Sequence, residues 1–405
     1  MGEGGRRAQR VLVLHMAHAF VGRHPPRVAR RRYELRNAEL NAKIEELIGL
    51  AQASYEARDD RSDYVRQMLV TALGLLGDDS STGDLKLLNS ALKELRHAFR
   101  VFAPYAHVRK VAVFGSARTG PEHSDWVQAH RFAERVVEAG WMVITGAGDG
   151  IMGAAQGGAG RASSFGVNIR LPFEQRANEV IAGDSKLINF RYFFSRKLAF
   201  VKNSHAIALF PGGFGTHDEG FEALTLIQTG KSEMLPVVFV DSPGGSYWRD
   251  WEEYVRSHLL ARGLISEEDL SLFKITDDVE AAVGEVTGFY RNYHSSRYVR
   301  DWLVIRVREA PDAELLAALN DEFKGILLEG AIEVRGALPE EGGEADPFPR
   351  VVLRFDRKQL GRLRQLIDRL NAYAEPELSA SDAAPHEIVA APLPPEAESA
   401  ERSGA

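Results

Sequence analysis

Three glycines and a threonine are grouped where the chain changes from an apolar run to an acidic helix, in the stretch PGGFGT at 211–216. Glycine loses more backbone freedom on folding than any other residue, so such a group usually marks a place where the backbone must approach something closely. Backbone N–H groups at a helix N-terminus attract anions, because the helix dipole is positive there. The stretch therefore predicts a phosphate-binding loop formed by Gly212, Gly213, Gly215 and Thr216.

A second glycine-rich loop is TGAGDGIMGAA at 145–155, in which Gly148, Gly150 and Gly153 have G-x-G-x-x-G spacing. The dinucleotide-binding fingerprint belongs in the first strand-to-helix turn of its fold. Here that first turn is FGSAR at 114–118, with one glycine, so a nicotinamide site is disfavoured. Two interpretations stay open for the second loop, a phosphate contact and a tight strand-to-helix join that only needs small residues.

Charged side chains flank the first loop. Arg196 and Lys197 lie on the helix that precedes its strand, and Asp218 and Glu219 follow in the first turns of the next helix. Two cations near a phosphate loop are chemically coherent as a charge pair or a phosphate contact. Each carboxylate considered alone is more often a helix-starting residue than a catalyst.

Short apolar runs alternate with helical patterns from residue 110 onward, and this order predicts a parallel sheet covered on both faces. We expect a doubly wound, Rossmann-like α/β domain at 108–297, whose ligands bind beyond the carboxyl ends of the strands. The predicted strands are VAVFG (111–115), WMVITG (141–146), FGVNIRLP (165–172), AIALFPGG (206–213) and LPVVFVD (235–241).

The flanking regions have other patterns. Residues 1–107 predict a basic arm and a helical extension, in which an apolar stripe from Leu85 to Phe102 must pack against something. Residues 298–374 predict a small α+β domain of ferredoxin-like type, from a β-α-β-β-α order. Residues 375–405 are rich in Ala, Pro, Glu and Ser and predict a disordered tail.

The charged residues and glycine loops together resemble the LOG family, named for plant enzymes that activate cytokinins and formerly labelled lysine decarboxylases by mistake. Residues 211–219 match its P-G-G-x-G-T-x-x-E signature, with Arg196 and Lys197 upstream. The blocks FGSAR, TGAGDGIMGAA and GVNIRLPFEQ follow the family order, so the resemblance covers residues 108–240, about a third of the chain.

The resemblance implies a phosphoribohydrolase, which uses water to cleave the N-glycosidic bond of a nucleoside 5′-monophosphate and releases free base and ribose 5-phosphate. AMP or a cytokinin-type monophosphate is the expected substrate, with neither metal nor organic cofactor. By matching position, Glu219 would stabilise the oxocarbenium charge on the ribose or orient water, and Arg196 would position Glu219 and the substrate. Substrate contacts are expected from Ser116, Gly146, Gly148, Gly150, Lys197, Gly212, Gly213, Gly215 and Thr216.

The net charge and the cysteine content limit the classes of partner and ligand that this protein can bind. The net charge of −7 argues against a whole-chain nucleic-acid binder, and the absence of cysteine excludes disulfides and thiolate ligands. A cytoplasmic protein without a membrane span is expected, and the family resemblance implies a homodimer or higher homo-oligomer. Two alternatives stay open: a non-catalytic nucleotide sensor on the same fold, and a pyridoxal phosphate decarboxylase, for which Lys197 is a poor Schiff-base lysine.

Overall fold

The structure is a computed structural model that describes residues 33–55, 59–170, 176–338, 341 and 347–374. It forms two compact units that divide after Leu88. The basic arm and the C-terminal tail expected from the sequence lie outside the described residues. None of the helices in the described ranges is both long and apolar enough to cross a membrane.

The first unit contains a helical hairpin of α1 (Ala38–Tyr55) and α2 (Asp59–Gly74). Ile44, Ile48 and Val70 are buried together between its helices. The sequence pattern also places Leu40 and Leu47 inward, and this is wrong, because both side chains are largely exposed. A two-helix hairpin has room for one narrow apolar seam, so the outer leucines remain at the surface.

The long helix α3 (Thr82–Phe102) contains the whole predicted apolar stripe, but its buried face differs from the prediction. Phe102 is buried as expected, whereas Leu92 and Phe99 are exposed. The buried face instead carries Ala98 and Val101. Short side chains allow a helix to approach its neighbour closely, so an alanine face can displace a leucine stripe from the core.

The centre of the second unit is a seven-stranded parallel sheet in the order β4-β3-β2-β1-β5-β6-β7. This confirms the doubly wound α/β class. Its strands are β1 (Lys110–Phe114), β2 (Met142–Thr145), β3 (Ser164–Ile169), β4 (Leu187–Phe190), β5 (Ala206–Leu209), β6 (Val237–Val240) and β7 (Lys274–Thr276). The helices of this part are α4 (Ser124–Glu138), α5 (Ile151–Ala159), α6 (Phe193–Asn203), α7 (Phe214–Gln228), α8 (Tyr247–Tyr254) and α9 (Val279–Gly288).

Strand order reverses between β1 and β5. The chain builds outward from β1 to β4, then returns to place β5 on the other side of β1. All seven strands are parallel, so the loops that follow β1, β2 and β5 meet at one edge of the sheet. Such a reversal opens a crevice at the carboxyl ends of the strands, which is the usual ligand position in open α/β sheets.

The C-terminal part is a four-stranded antiparallel sheet in the order β10-β11-β9-β8, with two helices. This confirms the small α+β unit. Its elements are β8 (Tyr293–Val299), β9 (Trp302–Val307), α10 (Ala313–Glu322), β10 (Leu327–Arg335), β11 (Arg350–Phe355) and α11 (Leu360–Tyr373).

The strand β8 adds to the predicted β-α-β-β-α order. A ferredoxin-like sheet takes its fourth strand after the second helix, whereas here the strand beside β9 precedes it in the chain. Its sequence, YHSSRYV, is polar because β8 is an edge strand whose side chains are mostly half-buried. The sequence pattern therefore gave no strand signal at that position.

Candidate functional site

The candidate site lies where the loops after β1, β2 and β5 meet, at the reversal of strand order. Ser116 connects the three loops through its backbone. Its N–H donates to the Pro211 carbonyl at 3.1 Å, and its carbonyl accepts from the Ile151 N–H at 3.0 Å. The Ser116 hydroxyl accepts from the Arg118 N–H at 3.1 Å, so this predicted substrate contact also stabilises its own turn.

The loop after β5 presents unsatisfied backbone donors. Gly213 is the N-cap of α7 and gives the helix no side-chain cap. Within the described part of the chain, the N–H groups of Gly213, Phe214 and Gly215 form no hydrogen bond. The space that a Cβ would occupy on Gly213 and on Gly215 has no neighbouring atom within 4 Å. These donors are therefore oriented for an anion that can reach the loop from outside.

Gly212 and Thr216 form the closed side of the same loop. A Cβ on Gly212 would lie 2.1 Å from the Thr216 Oγ1 and 3.0 Å from the Ser116 nitrogen, so only glycine fits there. Thr216 is buried beneath it. We name the backbone and hydroxyl of Gly212, Gly213, Gly215 and Thr216 the phosphate cradle.

The loop after β2 is tightly constrained. Gly150 has a φ of +66°, and a Cβ there would lie 2.2 Å from the Ser116 carbonyl oxygen. Ala147 also has a positive φ of 64°, although it carries a side chain. The Asn178 amide donates to the Gly148 carbonyl at 2.8 Å, and its N–H donates to the Ala147 carbonyl at 2.9 Å. Asn178 stabilises this loop through these two hydrogen bonds. No sequence motif indicated that role, because Asn178 lies outside every motif.

Both interpretations of this second loop have support in its geometry. Gly150 satisfies a packing requirement. Gly150 is also the N-cap of α5 and supplies no side-chain cap, so a second helix N-terminus faces the same crevice edge. Gly153 lies inside α5, where a Cβ would make only an ordinary contact with the Gly148 carbonyl.

Arg196 on α6 connects three elements of the site. Its Nε donates to the Val167 carbonyl at the end of β3, at 2.9 Å. Its guanidinium lies against Gly146, where a Cβ would be 2.6 Å from Nη2. Its Nη1 is 3.8 Å from the Glu219 Oε1, and the two side chains are only 12% and 10% exposed. A side chain at position 146 would therefore have to displace the Arg196 guanidinium and the Met152 sulfur, which would lie 2.7 Å from its Cβ.

The electrostatics of the Arg196–Glu219 pair are set by burial. Burial raises the pKa of Glu219, and the positive charges of Arg196 and Lys197 oppose that rise. Burial lowers the pKa of Arg196, against the attraction of Glu219. A largely desolvated carboxylate beside a fixed cation is suited to stabilising positive charge that develops on a bound molecule.

Lys197 has different partners from those of Arg196. Its ammonium is 2.8 Å from the Asp218 carboxylate and 2.7 Å from the Glu222 carboxylate. Burial lowers the pKa of Lys197, but the hydrogen bonds to Asp218 and Glu222 outweigh burial and raise it overall. The sequence placed Lys197 beside the phosphate; the structure places it in a network that fixes α6 against α7.

Glu94 of α3 binds residues just before and within the first turn of the helix that carries Arg196. Its carboxylate accepts from the Arg191 N–H at 2.9 Å and from the Ser195 hydroxyl at 2.7 Å. The residue before α6, Tyr192, supplies no side-chain cap of its own. Part of the helical extension thus supports the candidate site, a role that no sequence motif indicated.

Replacing Glu94 by alanine should lower the free energy of unfolding by about 1 kcal/mol, because the Arg191 N–H and the Ser195 hydroxyl lose the carboxylate that accepts from both. Urea unfolding at neutral pH measures this loss. Glu94→Gln keeps one acceptor oxygen and should lose less, while Glu253→Ala, an exposed residue on α8, should lose almost nothing. Equal stability of the Glu94→Ala and wild-type proteins would show that these two hydrogen bonds do not stabilise the start of α6.

Tyr247 and His217 also contact the site. The Tyr247 hydroxyl donates to the Gly212 carbonyl at 2.5 Å and lies 2.7 Å from the His217 Nε2. From the sequence, His217 was expected only to line the pocket or face solvent, and Tyr247 was not singled out. The aromatic-rich start of α8, SYWRDW, was the available signal.

Metal-binding residues do not gather at this site. Across the described ranges, no group of three or more His, Asp or Glu side chains is arranged to hold a metal ion.

Comparison with known proteins gives one matching family model and several partly similar solved structures. A family model described as "Possible lysine decarboxylase" matches residues 151–286. No curated protein gives a significant match. Among solved structures, a molybdenum cofactor binding protein from Rippkaea orientalis has 19% identity and a TM-score of 0.30, covering 44% of this chain and 92% of its own.

Two further solved structures are similar in the same region. The molybdenum cofactor carrier protein of Chlamydomonas reinhardtii has 22% identity and a TM-score of 0.32, covering 44% of this chain and 94% of its own. DNA processing protein A of Helicobacter pylori has 13% identity and a TM-score of 0.31, covering 44% of this chain and 79% of its own. At these identities and TM-scores, the matches carry no conclusion about ligand or reaction.

Proposed function

We propose that this protein, in which residues 151–286 match the "Possible lysine decarboxylase" family model and residues 211–219 resemble the LOG signature, hydrolyses nucleoside 5′-monophosphates to free base and ribose 5-phosphate. The observation that carries the proposal is the buried pair of Arg196 and Glu219, placed beside the phosphate cradle at the reversal of strand order. A fixed carboxylate and an anion-binding loop are the two groups that this reaction requires.

The roles follow from charge. The 5′-phosphate binds the unsatisfied N–H groups of Gly213, Phe214 and Gly215, which fixes the ribose at the mouth of the crevice. Cleavage of the N-glycosidic bond develops oxocarbenium charge on the ribose, and the Glu219 carboxylate stabilises that charge or orients the attacking water. Arg196 keeps Glu219 ionised and in register through its contacts with Val167 and Gly146.

The decarboxylase label of the family model does not fit the residues present. A Schiff-base lysine needs a lowered pKa to act as a nucleophile, whereas the pKa of Lys197 is raised by Asp218 and Glu222. Burial does lower the pKa of Lys110 to about 8. Lys110 begins β1, however, at the sheet edge opposite the glycine loops, and donates to the Tyr105 and Val108 carbonyls.

The proposed active form is a homodimer or a higher homo-oligomer. Phe214, at the start of α7, is 97% exposed beside the phosphate cradle, and Phe193, Phe194 and Leu198 of α6 are also exposed. Exposed aromatic side chains of this kind are typical of protein–protein contact surfaces. Sedimentation of the full chain at micromolar concentration measures its oligomeric state. We expect a dimer or a larger homo-oligomer, and a monomer would refute this proposal.

The test of function is incubation of the full chain with AMP, GMP, CMP, UMP and N6-isopentenyl-AMP, with free base and ribose 5-phosphate both quantified. We expect equal amounts of the two products, with AMP or the N6-modified form turned over fastest. Tight nucleotide binding without release of base would instead favour the non-catalytic sensor, since a binding protein needs the cradle but not Glu219.

A further inference from the structure

Tyr247 contacts the phosphate cradle at the Gly212–Gly213 peptide. Its hydroxyl donates to the Gly212 carbonyl at 2.5 Å. The Gly212–Gly213 peptide is planar and trans, so its N–H points opposite to its C=O. A bond that fixes the Gly212 carbonyl toward α8 therefore directs the Gly213 N–H to the other side, where the loop is open.

The hydrogen-bond pattern assigns the role of His217. A tyrosine hydroxyl has a single proton, and here that proton goes to the Gly212 carbonyl, which can only accept. The Tyr247 oxygen must then accept from the His217 Nε2, 2.7 Å away. The network thus assigns the proton of neutral His217 to Nε2. Burial lowers the pKa of His217 and favours this neutral form.

The start of α8 is anchored firmly enough to position Tyr247. Trp248 is fully buried, and its ring meets Phe239 of β6 edge-on at 4.6 Å. The backbone N–H of Trp248 donates to the carboxylate of Asp241, which directly follows β6, at 3.0 Å. The His217 and Trp248 rings lie 5.5 Å apart. The end of β6 thus fixes the residue beside Tyr247, and α7 fixes the residue that donates to it.

We propose that Tyr247, supported by His217, is a positioning residue that sets the Gly212–Gly213 peptide in the orientation that binds the substrate phosphate. The inference rests on the proposed phosphate cradle and extends it to residues outside the glycine loop. Glycine-rich loops are conformationally permissive. We name the hydrogen bond from Tyr247 to the Gly212 carbonyl the clamp. Without it, the loop would lose conformational entropy whenever it bound an anion, and its affinity for phosphate would fall.

The test is equilibrium binding of ribose 5-phosphate, inorganic phosphate and adenosine to the full-length protein by calorimetry. Tyr247→Phe keeps the ring and removes only the hydroxyl. We expect its Kd for both phosphate ligands to rise about tenfold, as for loss of one well-placed hydrogen bond. Adenosine has no phosphate, so its affinity should not change. Tyr254→Phe, in an exposed tyrosine at the end of the same helix, is the matched control and should bind all three ligands normally.

A double-mutant cycle tests the role of His217. His217→Ala should raise the Kd for ribose 5-phosphate by about threefold in the wild-type background and should have no further effect in Tyr247→Phe, because His217 acts through the Tyr247 hydroxyl. Additive effects of the two substitutions would refute the proposed relay. Thermal unfolding of each variant checks that the fold is retained.

The outcomes separate this inference from the proposed hydrolysis. Unchanged phosphate binding in Tyr247→Phe would overturn the clamp even if the protein hydrolyses nucleotides. A parallel loss of adenosine binding would also overturn it, since that would indicate general damage to the site. Weaker phosphate binding and unchanged adenosine binding in Tyr247→Phe, together with no nucleotide hydrolysis by wild type, would support the clamp and refute the proposed hydrolase. If wild type binds neither phosphate ligand, the cradle and the clamp both fail.

Discussion

Replacing Glu219 by glutamine should lower kcat for nucleoside monophosphate hydrolysis by about a thousandfold. The amide has nearly the shape of the carboxylate but carries no negative charge, so it can neither stabilise an oxocarbenium ion nor orient water as a base. The phosphate cradle is formed by backbone groups outside this side chain, so the Kd for ribose 5-phosphate should remain within about threefold of wild type. Rapid-quench measurement of base release, together with calorimetry, tests both statements.

The matched control is Glu253→Gln, the same chemical change on an exposed residue of α8, which should hydrolyse nucleotides like wild type. A Glu219→Gln protein with more than a tenth of wild-type kcat would remove Glu219 from the mechanism. The site would then have to be explained by binding alone.

Replacing Arg196 by glutamine should lower kcat/KM by about a hundredfold or more. Arg196 contacts the Val167 carbonyl, the Gly146 backbone and Glu219, so its loss releases the carboxylate from its fixed position. Steady-state kinetics on the fastest substrate measures this effect. Lys202→Gln, on the same helix but facing the Phe99 ring, is the control and should leave kcat/KM unchanged.

Arg196→Gln should also shift the pH dependence of kcat/KM. Glu219 acts in its ionised form, so activity is lost as pH falls through its pKa. Burial already raises that pKa, and Arg196 opposes the rise. Without the guanidinium, the pKa of Glu219 should rise further, and the acidic limb of kcat/KM should move to higher pH. An unmoved or more acidic limb would contradict the electrostatic role assigned to Arg196.

The sequence predicted the central sheet well because its five core strands are continuous apolar runs. The strands β4 and β7 were missed because they are short edge strands with exposed positions, and edge strands do not need an apolar pattern on both faces. The helix α3 was predicted as a helix, but most of its buried face was not, since Leu92 and Phe99 are exposed. Periodicity identifies a stripe, but which side packs depends on neighbours that the sequence does not show.

The candidate site was predictable where the chemistry lies in local spacing. The glycines of the cradle, Arg196 and Glu219 lie in one neighbourhood, as their motif implies. The supporting residues Glu94, Asn178 and Tyr247 act on the site through one or two hydrogen bonds each, from distant segments. Such bonds arise only from the tertiary fold, so no local pattern could reveal them.

In the proposed reaction, water attacks C1 of the ribose of a nucleoside 5′-monophosphate. The most direct measurement is hydrolysis of the fastest substrate in ¹⁸O-labelled water, with mass spectrometry of the products. We predict one ¹⁸O atom in ribose 5-phosphate, on its C1 hydroxyl, and unlabelled free base. Label in released inorganic phosphate, with the nucleoside as the other product, would identify a phosphatase and contradict hydrolysis of the N-glycosidic bond.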